Sequence, residues 1–298
     1  MRNKTSRGKV LVGLLIAAIT VFGLAATAQA KLVGNYTKFA QCPYTNLEVK
    51  KCIYSTTNSG EVVLGSKKVP IVNPVVLQGG TLQPVEGVAH FVAASNGVTL
   101  SKAAQPVPGG LAGIINCKEI KDFFLRISCE VTFENGLTGL NSTLELAKPA
   151  SEITMSETNL IGEEGTALQL PVKVHLENPF LGSGCYVGSS SSPIIWPLTT
   201  GETNPPAPNT KIKGKSGELE FLEEGRIAEL SGNRVVENAW AAPGATGCGG
   251  FLVELILDPI INAAAGLPAS SGHNTAILNN TIFTGSAAAI RKNNEENP

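Results

Sequence analysis

Three histidines, His90, His175 and His273, and six cysteines carry most of the chemistry available to this chain. A nucleophilic hydrolase needs a serine or cysteine polarised by a histidine that a carboxylate in turn orients. His273 stands in Ser270-Ser271-Gly272-His273-Asn274-Thr275, a polar loop of the kind in which binding groups collect. Ser271, His273 and Asn274 are therefore the candidate binding residues, and a hydrolase using His273 with a serine and a distant glutamate is the catalytic alternative. No G-x-S-x-G elbow accompanies it, so no catalytic residue is assigned. Ser189 to Ser192 follow Gly188 as a run of four serines, a composition ordinary for a loop. His175 shares the polar face of an alternating run with Lys173 and Glu177, which predicts a solvated ring. His90 alternates with Val88 and Val92, which predicts partial burial and one hydrogen-bond partner.

Metal and cofactor chemistry find less footing. Calcium loops draw on closely spaced aspartates, and after residue 30 only Asp122 and Asp258 remain. C-x-x-C does not occur, and three histidines are too few for a zinc module. Gly182 to Gly188 has glycines near the spacing of a dinucleotide loop, but the third is one residue late and no helix is expected after it. No metal ligand and no cofactor-binding residue is assigned.

Cys42, Cys52, Cys117, Cys129, Cys185 and Cys248 form an even set, which favours up to three disulfides if the chain is exported. Pairing neighbours in sequence is one of fifteen possible connectivities. If Cys117 and Cys129 lay on one straight helix they would be about 18 Å apart, so any helix between them must end before the second.

The export condition is met at the start of the chain. Arg2, Lys4, Arg7 and Lys9 precede an apolar run from Val10 to about Ala26, and Ala28-Gln29-Ala30 supplies a small-residue cleavage site. Residues 1–30 read as a secretory signal cut near Ala30, giving a secreted, extracellular chain. The rival is an uncleaved anchor, because the apolar run approaches the roughly 18 to 20 residues that span a bilayer. Cleavage would remove four of the 23 basic residues and none of the 24 acidic ones, moving the net charge from −1 to −5. That balance gives no electrostatic reason to expect nucleic acid, and no second apolar segment is long enough to span a membrane.

The elements that must position these residues are mostly strands. From Ala167 to Glu177, Leu168, Leu170, Val172, Val174 and Leu176 share one face and polar residues the other, the period of a half-buried strand. Pro171 predicts an edge position or a bulge there. Similar short runs recur along the chain, with Asn58-Ser59-Gly60 and Ser95-Asn96-Gly97 read as hairpin turns. The expectation is a mainly β protein of antiparallel, sandwich-like sheets stabilised by disulfides.

Two short helices interrupt it, near 118–127 and 259–265. In the first, Ile120, Phe123, Phe124 and Ile127 fall at helical offsets. In the second, Asp258 caps Pro259, and Gly266 ends the helix. Pro193 to Pro208 reads as a long surface excursion. A boundary near 148–151 would divide a domain at 31–148 from one at 149–287, and 288–298 reads as a disordered tail.

Asn178 to Gly188, Gly247-Cys248-Gly249 and the stretch from Gly266-Leu267-Pro268 to Asn274-Thr275-Ala276, together with the export signal, resemble a group of uncharacterised exported proteins of actinobacteria. The resemblance covers mainly the C-terminal half. It implies a bacterial secreted location and a cross-link between Cys185 and Cys248, and brings no activity with it. The functional expectation is a secreted or envelope-associated protein with a binding or structural role toward an extracellular or cell-envelope ligand.

Overall fold

The computed structural model describes residues 31–110, 121–123, 126–127 and 139–297. Half of the helix expected near 118–127, and both Cys117 and Cys129, lie outside the described residues. The expected antiparallel β architecture is what forms. Its strands are β1 (Lys51–Leu64), β2 (Lys67–Pro70), β3 (Val75–Thr81), β4 (Ala89–Ala93), β5 (Ala104–Pro106), β6 (Asn141–Leu146) and β7 (Thr154–Met155). They continue as β8 (Leu168–Glu177), β9 (Tyr186–Val187), β10 (Ile194–Leu198), β11 (Glu218–Leu222), β12 (Ile227–Glu237), β13 (Ala245–Thr246) and β14 (Thr275–Ser286). Helices α1 (Glu157–Gly162), α2 (Glu254–Ala265) and α3 (Ala287–Glu296) complete the regular structure with short 3-10 turns.

The strands hydrogen-bond in the order β11-β12-β14-β1-β3-β4-β7-β8-β6-β5, all pairs antiparallel, with β2 on β1, and β9 and β10 on β8. The array folds over on itself: Thr199, just beyond β10, exchanges backbone hydrogen bonds with Val236 of β12. Between the two halves lies the principal core. It takes Ile53 and Leu77 from one half, Leu170 and Trp196 from the other, and Ile261 from α2. The boundary expected at 148–151 therefore coincides with no break in the core, and β1 pairs along its length with β14.

The periodic face of β8 was legible: Leu170, Val172, Val174 and Leu176 are buried. Pro171, however, marks neither edge nor bulge. β8 is flanked by β6 on one side and β10 on the other, and the register runs unbroken from Ile194↔Val172 to Leu198↔Leu168. The Pro171 carbonyl accepts Ala147 N–H at 3.0 Å, so its missing donor faces the end of β6, just past the last pair, Leu146↔Val172.

Asn58-Ser59-Gly60 is not a turn either. It lies inside the single strand β1, as a bulge where the register to β14 shifts between Thr57 and Ser59. Gly60 has φ +140°, and a Cβ there would fall 2.0 Å from the Ile277 carbonyl oxygen. The glycine permits close backbone approach between two central strands. Ser95-Asn96-Gly97 does turn, with Gly97 N–H bonded to Ala94 O at 2.9 Å.

A second cluster covers the opposite face of β1, β12 and β14. Phe39 from an N-terminal 3-10 turn meets Ile227, Phe283 and Ile290 there. Ile290 belongs to α3, so the segment expected as a disordered tail is a docked helix with Ala287 and Ile290 fully buried. Ala287 and Ile290 lie one turn apart, and Arg291, which donates to Tyr44 O, adds a polar tie. The second expected helix also differs. α2 starts at Glu254, five residues early, and holds Pro259 inside it. Asp258 does not cap it but accepts Gly247 N–H at 3.0 Å and Cys248 N–H at 2.8 Å. Gly266 ends it as expected, left-handed at φ 66°.

Among the described residues, disulfides join Cys42 to Cys52 and Cys185 to Cys248. Among the described residues no helix is long and apolar enough to cross a membrane.

Candidate functional site

The expected binding loop is held by hydrogen bonds within the protein. Asn274 is buried, and its side-chain amide donates to Trp240 O at 2.9 Å, Ser270 O at 3.3 Å and Ala269 O at 3.5 Å, while its Oδ1 accepts Gly65 N–H at 2.9 Å. The Ser271 hydroxyl donates to Ala239 O. Both side chains tie loops together. His273 is exposed, with Nδ1 3.2 Å from Ser270 Oγ. A serine is thus beside it, three residues away in one turn, but among the described residues no carboxylate lies within the 4.0 Å of an ion pair. The two halves of a triad that a hydrolase requires are not both present at this histidine.

The other histidines occupy opposite situations from those expected. His90 is exposed, its Nδ1 3.0 Å from Ser151 O. His175 is half-buried, because strand pairing stacks its ring on Tyr186 of β9 at 4.4 Å and 12°. Its Nδ1 lies 3.3 Å from Glu177 Oε1 and 3.9 Å from Glu145 Oε1. Across the ladder, Lys102 reaches Glu145 at 3.0 Å and Lys173 reaches it at 3.5 Å, with Lys173 also 3.9 Å from the Tyr186 ring centroid. Burial pushes the Glu145 carboxyl up, but the Lys102 hydrogen bond and the charges of Lys102, Lys173 and His175 outweigh it and hold Glu145 below the usual carboxylate range. Glu145, buried on a sheet face, is neutralised by cations from neighbouring strands. Thr143 Oγ1 and His175 Nε2, paired across β6 and β8, are buried there without a hydrogen-bond partner.

An apolar cavity lies between the sheet halves. Its empty space, open mouth included, is about 1170 Å³, and about 100 Å³ of that admits the centres of water-sized molecules. One wall is the inward face of β8, where Leu168, Leu170, Val174 and Leu176 line it. The other comes from β1, β3 and β14, through Val62, Leu64, Leu77 and Leu278. Ile261 and Ala265 of α2, followed by Leu267, close one end. Polar atoms are few: Ser55, Thr57 and Asn280 form one patch, with Gln105, Ser142 and Lys67 elsewhere on the lining.

Gln105 is occupied structurally. It accepts Val72 and Asn73 N–H at 2.9 Å each and donates to Asn73 O at 2.7 Å. A mostly apolar enclosure with a few fixed polar groups is the usual form of a small-molecule site. Among the described residues no group of three metal-ligating side chains accompanies it.

Pro193 to Pro208 corrects the sequence reading most sharply. Its first part is not an excursion but β10, whose Ile194, Trp196 and Leu198 are fully buried, with Trp196 on the cavity wall. Trp196 meets Trp240 edge-on at 5.6 Å. Alternation in Ile194-Ile195-Trp196-Pro197-Leu198 was the available signal, masked by the prolines at both ends. Nothing in the sequence marks the cavity, because its lining residues are indistinguishable in type from core residues and come from at least ten separate segments.

Compared with known proteins, the chain matches no family model, no curated protein and no solved structure.

Proposed function

We propose that this is an exported binding protein, acting outside the cytoplasm or in the cell envelope, that holds a small and largely apolar molecule between the two halves of its sheet. The observation that carries the reading is the cavity. Close-packed interiors leave few voids larger than a water molecule, and this one is lined by side chains contributed from both halves of the fold. Two disulfides and an N-terminal segment with the composition of a secretory signal support the compartment.

The test begins with a chain starting at Lys31, produced under conditions that form disulfides. Denaturation, organic extraction and mass spectrometry should recover a stoichiometric apolar compound, or the empty protein should take up a fluorescent apolar probe in a saturable, one-site titration. Failure of both removes the reading. For the compartment, the mass of the protein isolated from its source should place its first residue at Lys31, and an intact Met1 would overturn cleavage.

A hydrolytic reading keeps one specific observation, the Ser270 to His273 contact at 3.2 Å. Ester turnover that disappears in Ser270→Ala would replace binding by catalysis as the function.

A further inference from the structure

The turn leading into α2 exposes the densest group of large apolar side chains among the described residues. Phe251 is 87% exposed, Leu255 73% and Leu252 63%, and Val253 and Ile256 are nearly half exposed. This is not a loosely held segment. Cys248 at its base is bonded to Cys185, and Asp258, one turn into the helix, holds the backbone N–H groups of Gly247 and Cys248. Leu252 sits at φ 72°, a conformation that bulky residues rarely adopt. Further along the same helix, Ile261 and Ala265 line the cavity.

We infer that the apolar turn of residues 251–256 docks the protein onto a lipid surface. Size decides against a second protein. Five side chains at these exposures offer on the order of 500 Å², within the range of functional surface patches but short of the roughly 800 Å² per partner of a standard stable interface. A lipid surface needs no such area, since each inserted side chain is transferred from water to hydrocarbon independently of a complementary shape. Charge does not drive it: Glu254 is the charged residue within the turn, and the chain from Lys31 carries a net charge of −5. The surface is therefore zwitterionic or neutral lipid, and docking is insensitive to salt.

α2 carries the docking turn at one end and the cavity wall at the other, so docking places the lipid phase one helix away from the cavity. That part rests on the cavity reading, whereas the docking does not.

Flotation of the disulfide-bonded chain from Lys31 with phosphatidylcholine vesicles tests it. The unaltered chain should float with the vesicles equally at low and high salt, and Phe251→Ser with Leu255→Ser should lower the partition coefficient at least tenfold. Leu255→Lys alone, on a fully solvated position, should lower it in the same direction and guards against a folding defect in the pair. Ala103→Phe, which obstructs the cavity, should float like the unaltered chain, so loss of ligand uptake and loss of docking are separately visible. Vesicle binding that is absent, or undiminished in both turn variants, overturns the proposal. So does a stable dimer, seen by sedimentation, that the turn substitutions dissociate without any vesicle binding.

Discussion

Thr57 of β1 donates a hydrogen bond to Asn280 of β14 at 2.6 Å, with both side chains on the wall of an otherwise apolar cavity. The pair is continued outward. Asn280 Nδ2 donates to Asn233 Oδ1 at 3.3 Å, and Asn233 Nδ2 donates to Ser216 O at 3.0 Å. One polar line thus crosses β1, β14 and β12 and ends on a loop, fixing the relative register of three strands where the bulge would otherwise loosen it. Asn280→Ala leaves the Thr57 hydroxyl and the Asn233 carbonyl buried without this partner, and should cost about 2–3 kcal/mol in urea unfolding. Thr57→Val made together with Asn280→Leu should cost less than Asn280→Ala alone, because no orphaned hydroxyl remains.

Occupancy of the cavity is tested by filling it. Ala103 lines the wall and is partly buried against the core, so Ala103→Phe places a ring in the empty space. Affinity for an apolar probe should fall at least tenfold, with thermal stability unchanged or raised. Leu170→Ala enlarges the same space and should cost about 2–5 kcal/mol while leaving probe uptake intact.

The two disulfides should differ in weight. Closing 63 residues between Cys185 and Cys248 restricts the unfolded chain more than closing 10 between Cys42 and Cys52. Serine pairs replacing them should destabilise by about 4 and about 3 kcal/mol respectively, measured by denaturant midpoint.

In the loop once expected to bind, neighbours should behave in opposite ways. His273→Ala, at an exposed ring, should change stability by less than about 0.5 kcal/mol. Asn274→Ala removes three donated bonds and one accepted bond from a buried position, and should cost about 2–4 kcal/mol.

Acid stability should report Glu145. Its folded-state pKa is depressed, so its contribution is present above the unfolded value near 4.5 and is lost as pH falls through the lower folded value. Glu145→Gln should therefore be less stable than the parent at pH 7, and the gap should close as pH falls below about 4.5. Glu237 has the opposite sign, since burial raises its pKa despite hydrogen bonds from Ala239 and Asn238. Its contribution is present below the unfolded value near 4.5 and lost as pH rises through the folded one, so Glu237→Gln should gain on the parent as pH rises above about 4.5. Thermal melts carried from well below pH 4.5 to neutral pH measure both.

What could be read from the residues was whatever depends on local periodicity. β8 and the C-terminal end of α2 follow from alternation and from Gly266, and their expected and observed positions agree closely. Where the reading failed, long-range packing decided. Asn58-Ser59-Gly60 has the composition of a turn, but pairing with both β3 and β14 along β1 outweighs that local preference. Asn274 looked like a ligand-facing amide because sequence does not show that Trp240 O and Gly65 N–H converge on it. The cavity was invisible for the complementary reason: it is defined by where side chains fail to meet.

The position of β14 has a consequence for how the chain is made. It comes last in chain order among the described strands, yet it lies between β1 and β12 and pairs with both. Until residues 275–286 emerge, β1 has an open edge and β12 lacks its inner neighbour, so the nascent chain has no way to complete its core. Completion of the core therefore waits on strand pairings between segments more than 200 residues apart in the chain.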